Sequence, residues 1–295
     1  MIEKPVQFYS EGLLLQGSLY FPDFYQEGDK LPAIIPNSGY QGVNEFYPRM
    51  FAQSLTDKGY ICLGFDYRGF ADSEGDPARV LLEEQVQDIH NAITFLQLQE
   101  EVDHERIGLI GWGMGGSNVI RVTETNNNVS AVATLNGFYH GERWLKTVHS
   151  YEDWMKVLET VEQDRIRRVV EGESKEEEPF LHYPLDPATR DYVEKELADR
   201  KGFGGKTRIQ FTESLLELDA DRAAQNLEDI PLFVGHGVEN ILHPYEEAIA
   251  LYEQAAEPKQ FYRIEGKHND FMYSKNSEYI ALMDELETFF NEALA

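Results

Sequence analysis

Short apolar runs alternate along the chain with longer stretches whose apolar residues recur every three or four positions. That alternation predicts strands interleaved with amphipathic helices, the pattern of an α/β sheet. Residues 13–21 and 33–36 read as strands, and 46–58 as a helix stopped at Gly59. The next strand is 60–65, followed by a long helix over 81–98 with Val86, Ile89, Ile93 and Leu96 on one face. Residues 106–110 form a further strand, Met114 opens a helix, and 129–135 return to a strand. The same rhythm closes the chain, with strands at 231–234 and 260–264 and helices at 244–256 and 279–293.

Between Phe138 and Gln225 the rhythm breaks, and charge and aromatic residues replace the apolar runs. Helices are expected over 152–170 and 191–200, joined by an acidic connection over 171–178 that Pro179 ends. The chain is therefore expected to fold as a core of residues 1–137 and 226–295 with a mostly helical cap, 138–225, inserted into it.

Charge narrows the functions. Twenty-six basic against 53 acidic side chains leave a formal net of −27, which repels phosphate backbones and anionic lipid and argues against nucleic-acid or membrane partners. The first residues lack a basic-then-apolar leader, and no run approaches the length of a membrane span. The single cysteine, Cys62, lies in an apolar run and excludes an internal disulfide or a cysteine metal cluster. A cytoplasmic location is the expectation. No metal-ligand spacing or phosphate-cradling glycine motif occurs, so no metal or cofactor is expected.

The chemistry concentrates in Ile107-Gly108-Leu109-Ile110-Gly111-Trp112-Gly113-Met114-Gly115-Gly116, a buried strand entering a glycine-rich turn and then a helix. In a nucleophile elbow, G-x-S-x-G, small flanking residues let a strained turn lift a serine above the sheet. Gly111 and Gly115 hold the flanking places here, and Gly113 holds the centre. Other segments follow in order: Asn37-Ser38-Gly39-Tyr40 after an early strand, Asp66-Tyr67-Arg68-Gly69 after the next, His236-Gly237-Val238-Glu239-Asn240 with His243-Pro244, and Gly266-Lys267-His268-Asn269-Asp270.

Together these segments resemble the α/β-hydrolase superfamily, in particular its capped esterase and peptidase-like members, over about 5–137 and 210–295. The resemblance implies a mainly parallel sheet flanked by helices. It also implies a triad whose serine, acid and histidine positions are Gly113, Asn240 and His268. A serine triad needs a hydroxyl, a base and an orienting acid; with glycine and asparagine at two places, an acyl-enzyme on residue 113 is chemically excluded. The resemblance further implies an oxyanion hole formed by the backbone N–H groups of Tyr40 and Met114, which needs no serine side chain.

Two readings stay open. In one, a small carbonyl compound (ester, thioester, lactone or polyketide-like) binds in the oxyanion hole and His268 acts as general base, with Asn240 accepting a hydrogen bond from its ring. In the other, the protein is an inactive relative that binds a small molecule or a protein partner. Ser38, Trp112, Tyr139 and His140 complete the candidate substrate-binding set, with Ser38 the only surrogate nucleophile considered and Glu239 the only surrogate acid. A small-molecule carbonyl ligand is the expected partner, and the sequence leaves a homodimer open.

Overall fold

The sheet begins one strand earlier than the apolar pattern predicts. Ile2–Ser10 form β1, whose residues are mostly exposed and include Pro5, Glu3 and Lys4. Proline and charge are tolerated there because β1 is an edge strand, where the missing ladder donor and the polar face meet water. The structure, a computed structural model, describes residues 1–295. After β1 come β2 (Leu13–Phe21), β3 (Leu31–Asn37), α1 (Tyr47–Thr56), β4 (Ile61–Phe65) and α2 (Leu82–Gln97). Next are β5 (Val102–Trp112), α3 (Met114–Thr125) and β6 (Ala131–Leu135).

The chain then leaves the sheet. It runs through α4 (Gly141–Val148), α5 (Tyr151–Val170), the two-residue strand β7 (Glu176–Glu177) and α6 (Pro187–Tyr192), which continues as a π-helical turn, Val193–Leu197. The strand β8 (Thr207–Arg208) pairs with β7, and α7 (Gln210–Leu216) and α8 (Ala220–Gln225) follow. The sheet resumes with β9 (Leu232–Gly237), α9 (Tyr245–Gln254), β10 (Lys259–Ile264) and α10 (Ser277–Ala293).

Eight strands form one sheet in the order β1-β2-β4-β3-β5-β6-β9-β10. Pairing is antiparallel from β1 to β4 and parallel from β4 onward. All residues of β4, β6 and β9 are buried, as parallel strands covered on both faces must be, which is why they read as unbroken apolar runs. On one face Ile89 and Ile93 of α2, Val119 of α3 and Leu251 of α9 join the larger apolar core. On the other, Phe51 and Leu55 of α1 pack with Leu286 and Phe290 of α10. No helix is long and apolar enough to cross a membrane.

This order places the chemistry. Because β3 and β5 are neighbours, the loop after β3 lies against the turn after β5. Because β6, β9 and β10 are consecutive, the loops after these three strands meet at the same carboxyl edge, where ligands bind in sheets of this kind.

The loop after β4 is anchored by a buried ion pair. Fully buried Asp88 on α2 accepts from Arg68 Nε (3.0 Å), Arg68 Nη2 (2.7 Å), the Arg68 backbone N–H (3.0 Å) and Ser10 Oγ (2.6 Å). Removing the carboxylate leaves the buried guanidinium only the exposed Glu11 (3.0 Å) as a charged partner, a change that costs up to about 3–5 kcal/mol. Asp88→Ala is expected to lose stability of that order in urea unfolding. A loss below about 1 kcal/mol would show the pair to be dispensable.

Candidate active site

The turn after β5 has the strained geometry of a nucleophile elbow. Gly113 takes φ +59° and ψ −127°, and Met114 begins α3. The loop after β3 packs onto this turn so closely that a Cβ on Gly115 would sit 2.2 Å from the Ser38 carbonyl oxygen. Glycine is required there. A Cβ on Gly39 would likewise fall 3.3 Å from the Met114 nitrogen, so the two backbone segments run side by side. As the first helical residue, Met114 has no intrahelical acceptor for its N–H. The Tyr40 N–H makes no hydrogen bond to the chain.

A Cβ on Gly113 would meet only ordinary contacts, His243 Cε1 at 3.6 Å and His268 Nε2 at 3.9 Å. The space above the elbow therefore faces an imidazole edge, and no side chain from residue 113 fills it.

Behind His268 lies a buried network of amides and imidazoles. Asn240 is fixed by a donor that cannot adapt: the backbone N–H of His243 donates to Asn240 Oδ1 (3.0 Å). The amide nitrogen must then point the other way, where Asn240 Nδ2 lies 3.1 Å from His268 Nδ1; His236 Nε2, 3.2 Å away, carries the proton that it donates to the His243 carbonyl (2.8 Å) and accepts none. Turning the amide over would press its NH₂ against the His243 N–H and strand a buried backbone donor. Asn240 thus donates to His268 Nδ1, and the proton of the neutral ring sits on Nε2. The sequence-based expectation ran the opposite way, with Asn240 accepting from the ring. The structure corrects it: His268 presents a donor, Nε2–H, toward the space over Gly113, and in this tautomer it has no lone pair there with which to act as a base.

Asn136, immediately after β6, holds the network together from a left-handed backbone (φ +51°). Its Oδ1 accepts from the Gly237 N–H (2.7 Å), its Nδ2 donates to the His268 carbonyl (2.8 Å), and its own carbonyl accepts from His243 Nδ1 (2.5 Å). With Nδ1 protonated, His243 Nε2 is an acceptor and receives a hydrogen bond from the Tyr183 hydroxyl at 2.7 Å.

Burial drives all three imidazoles toward the neutral form. It pushes His236 down to about 4 and His243 to about 3. His268 falls well below the usual imidazole range, through burial and then through the neighbouring His243 and His236. Glu239, the surrogate acid considered from sequence, is exposed and spends its N–H on the Gly266 carbonyl.

A cavity of about 80 Å³ opens over Gly113, bounded by Tyr40, Trp112, Gly113, Met114 and His268 from the sheet loops and by Phe180 and Tyr183 among residues between β6 and β9. Thirteen of its 19 lining residues are hydrophobic, and none carries a formal charge. That lining suits a small uncharged ligand.

Several expected site residues lie elsewhere. Ser38 donates its hydroxyl to the Val43 carbonyl (2.7 Å) and does not line the cavity, so it stabilises its turn and presents no nucleophile. Tyr139 is buried in the core, bonded to Thr134 Oγ1 (2.8 Å). His140 caps α4, its Nδ1 accepting from the Arg143 N–H. Neither reaches the cavity. Sequence reasoning missed His243, Asn136 and Tyr183. His243 stands inside a quoted motif as an unremarked spacer, and nothing local distinguishes the other two.

Elbow, amide loop and histidine loop at the carboxyl edge of such a sheet define an α/β-hydrolase. The family described as serine aminopeptidase, S33, matches residues 31–271, most of the chain, and the protein belongs to that family. Two uncharacterized 31.7 kDa proteins from the traX-finO intergenic region of Escherichia coli are 33% identical over 113 residues. That match spans 38% of this chain and 40% of those first curated relatives.

The uncharacterized protein PA2218 of Pseudomonas aeruginosa is 25% identical over 96% of this chain and 78% of its own. Its crystal structure superposes with TM-score 0.84 at 23% identity, covering 99% of this chain and 94% of that one. The acyltransferase drtE of Aspergillus calidoustus is 24% identical, covering 90% of this chain and 88% of its own. The α/β hydrolase GrgF of Penicillium sp. sh18 superposes with TM-score 0.83 at 19% identity, covering 100% of this chain and 99% of that one.

The suppressed histidines make stability depend on pH. An unfolded chain takes up protons on His236, His243 and His268 below about pH 6.5, and the folded one refuses them. His182, pushed by burial to about 4, adds a fourth. Stability is therefore full above about pH 6.5 and falls as the pH drops toward 4, each refused proton costing about 1.4 kcal/mol per pH unit. Burial raises Asp66 to about 6, so the folded chain gains one proton in this window and offsets part of the loss. The urea midpoint is expected to fall between pH 7.5 and pH 5; an unchanged midpoint would contradict the neutral cluster.

Proposed function

We propose that the protein binds a small uncharged carbonyl compound over Gly113 and acts on it without a covalent acyl-enzyme. The ligand oxygen sits where the backbone N–H groups of Tyr40 and Met114 and the Nε2–H of His268 converge. Residues 138–225 act as a cap that closes the apolar side of the cavity. The observation that carries this reading is the ring edge of His268 facing an elbow with no side chain, at 3.9 Å from where a Cβ would stand. Three neutral donors gathered in an apolar, uncharged cavity stabilise negative charge that develops on a carbonyl oxygen.

The triad is then degenerate in a specific sense. Gly113 removes the nucleophile, and Asn240 fixes the tautomer of His268 that donates. The favoured chemistry is one in which a carbonyl or enolate oxygen gains charge, and hydrolysis through a serine ester is excluded. The acyltransferase activity in the name of the relative drtE agrees with a carbonyl ligand. With about 80 Å³ open, the ligand is small or its apolar part displaces cap side chains.

Restoring the missing groups tests this account. Gly113→Ser is expected to fold, because its Cβ meets no close contact and the strained elbow backbone costs about 1–3 kcal/mol. It is expected to stay nearly inert toward nitrophenyl acetate and fluorophosphonate, since Nε2–H cannot take the hydroxyl proton. Adding Asn240→Asp lets one carboxylate accept from both the His243 N–H and His268 Nδ1–H, which moves the lone pair to Nε2. The double variant should exceed the single by roughly 10³–10⁴-fold, the scale on which a wrongly oriented histidine tautomer suppresses a serine triad. Equal activity in both variants would remove Asn240 from its assigned role.

A further inference from the structure

Tyr183 is a polar group of the same cavity that faces the opposite way in hydrogen-bonding terms. Tyr183, between β7 and α6, is buried and lines the cavity. Its ring is held by Trp144 (centroids 4.5 Å) and Tyr40 (5.4 Å). The orientation of its hydroxyl follows from the backbone. The Asn136 carbonyl can only accept, so His243 Nδ1 is protonated, so His243 Nε2 is a lone pair, so the Tyr183 O–H must donate to it. The phenolic proton is thereby used inside the protein, and what remains for the cavity is the oxygen's acceptor capacity.

Resting on the carbonyl-binding reading above, we infer that Tyr183 determines specificity: its oxygen accepts a hydrogen bond from a hydroxyl that the ligand carries near its carbonyl group. The sheet side of the cavity offers donors, from Tyr40, Met114 and His268, and Tyr183 offers an acceptor whose own proton is already spent on His243. A ligand with a carbonyl alone leaves Tyr183 Oη buried and unanswered, and a hydroxycarbonyl compound answers both sides. The absence of charge in the lining selects a neutral ligand such as a hydroxy ester or hydroxy ketone over a free hydroxy acid, whose carboxylate would enter the cavity without a countercharge. His243 serves as a positioning residue here, since it touches Tyr183 and does not line the cavity.

Methyl 3-hydroxyhexanoate and methyl hexanoate, titrated separately into the full-length protein and followed by NMR, test the inference. The hydroxy ester is expected to bind about tenfold more tightly, the size of one neutral hydrogen bond. Tyr183→Phe keeps the ring and removes the acceptor. It should abolish that preference. Methyl 3-methoxyhexanoate supplies a check that needs no variant: it retains the oxygen but cannot donate, and should bind no better than the plain ester. Equal binding of the two esters, a methoxy ester bound as tightly as the hydroxy ester, or a preference that survives in Tyr183→Phe would overturn the assignment while leaving carbonyl binding intact. Failure of both esters to bind the unmodified protein would overturn the carbonyl-binding reading and this inference with it.

Discussion

A single backbone donor, the N–H of His243, sets the chemistry of this site. It claims the one oxygen of Asn240, and an asparagine has no second oxygen to offer. An aspartate in the same place would satisfy the backbone and the imidazole together, because both of its oxygens accept. With asparagine the two demands conflict, and the fixed backbone prevails over the ring, which can move its proton. One change of carboxylate to amide therefore does more than remove a charge. It reverses the polarity of the histidine edge that looks onto the elbow.

The rest of the site is consistent with that reversal. No carboxylate stabilises an imidazolium among His236, His243 and His268, and burial keeps all three neutral. Asn136 ties the three loops after β6, β9 and β10 into one unit, and its strained left-handed backbone (φ +51°) is the kind of local cost that surrounding structure sustains at functional sites. Further out, Arg143 on α4 forks onto Glu247 of α9 (2.7 Å to each oxygen) and reaches Asp221 of α8 (2.5 Å). The Trp144 indole donates to the Leu242 carbonyl (2.9 Å). These contacts fix the helices between β6 and β9 over the sheet edge, and Trp144 packs on Tyr183 (centroids 4.5 Å).

Much of the fold was legible in the chain because strands buried on both faces leave an apolar signature. β4, β6 and β9 announce themselves that way, and α2 and α10 through their helical stripes. β1 was not, because an edge strand with Pro5 and alternating polar residues carries no such signal. α4, α7 and α8 escaped for a related reason: they are short, and their packing onto other elements decides their structure more than their own sequence does. In the site, Gly113, Asn240 and His268 could be found from motif spacing alone. The tautomer of His268 could not, since it depends on which atom of Asn240 the His243 N–H reaches. Tyr183 lies 60 residues from His243 in sequence, and Tyr139 and His140 resemble pocket residues by composition alone, while their backbone course turns them into the core and onto a helix cap.

The protonation site of His268 is the most direct test of this account. Long-range ¹H–¹⁵N correlation spectra of the imidazole rings at pH 7.5, assigned with a His268→Gln variant, distinguish a protonated from an unprotonated ring nitrogen. The account predicts that His268 Nε2 resonates as a protonated nitrogen and Nδ1 as an unprotonated one, and that Asn240→Asp exchanges the two. A His268 with its proton on Nδ1 in the unmodified protein would contradict it, and would return to that ring the role of a base.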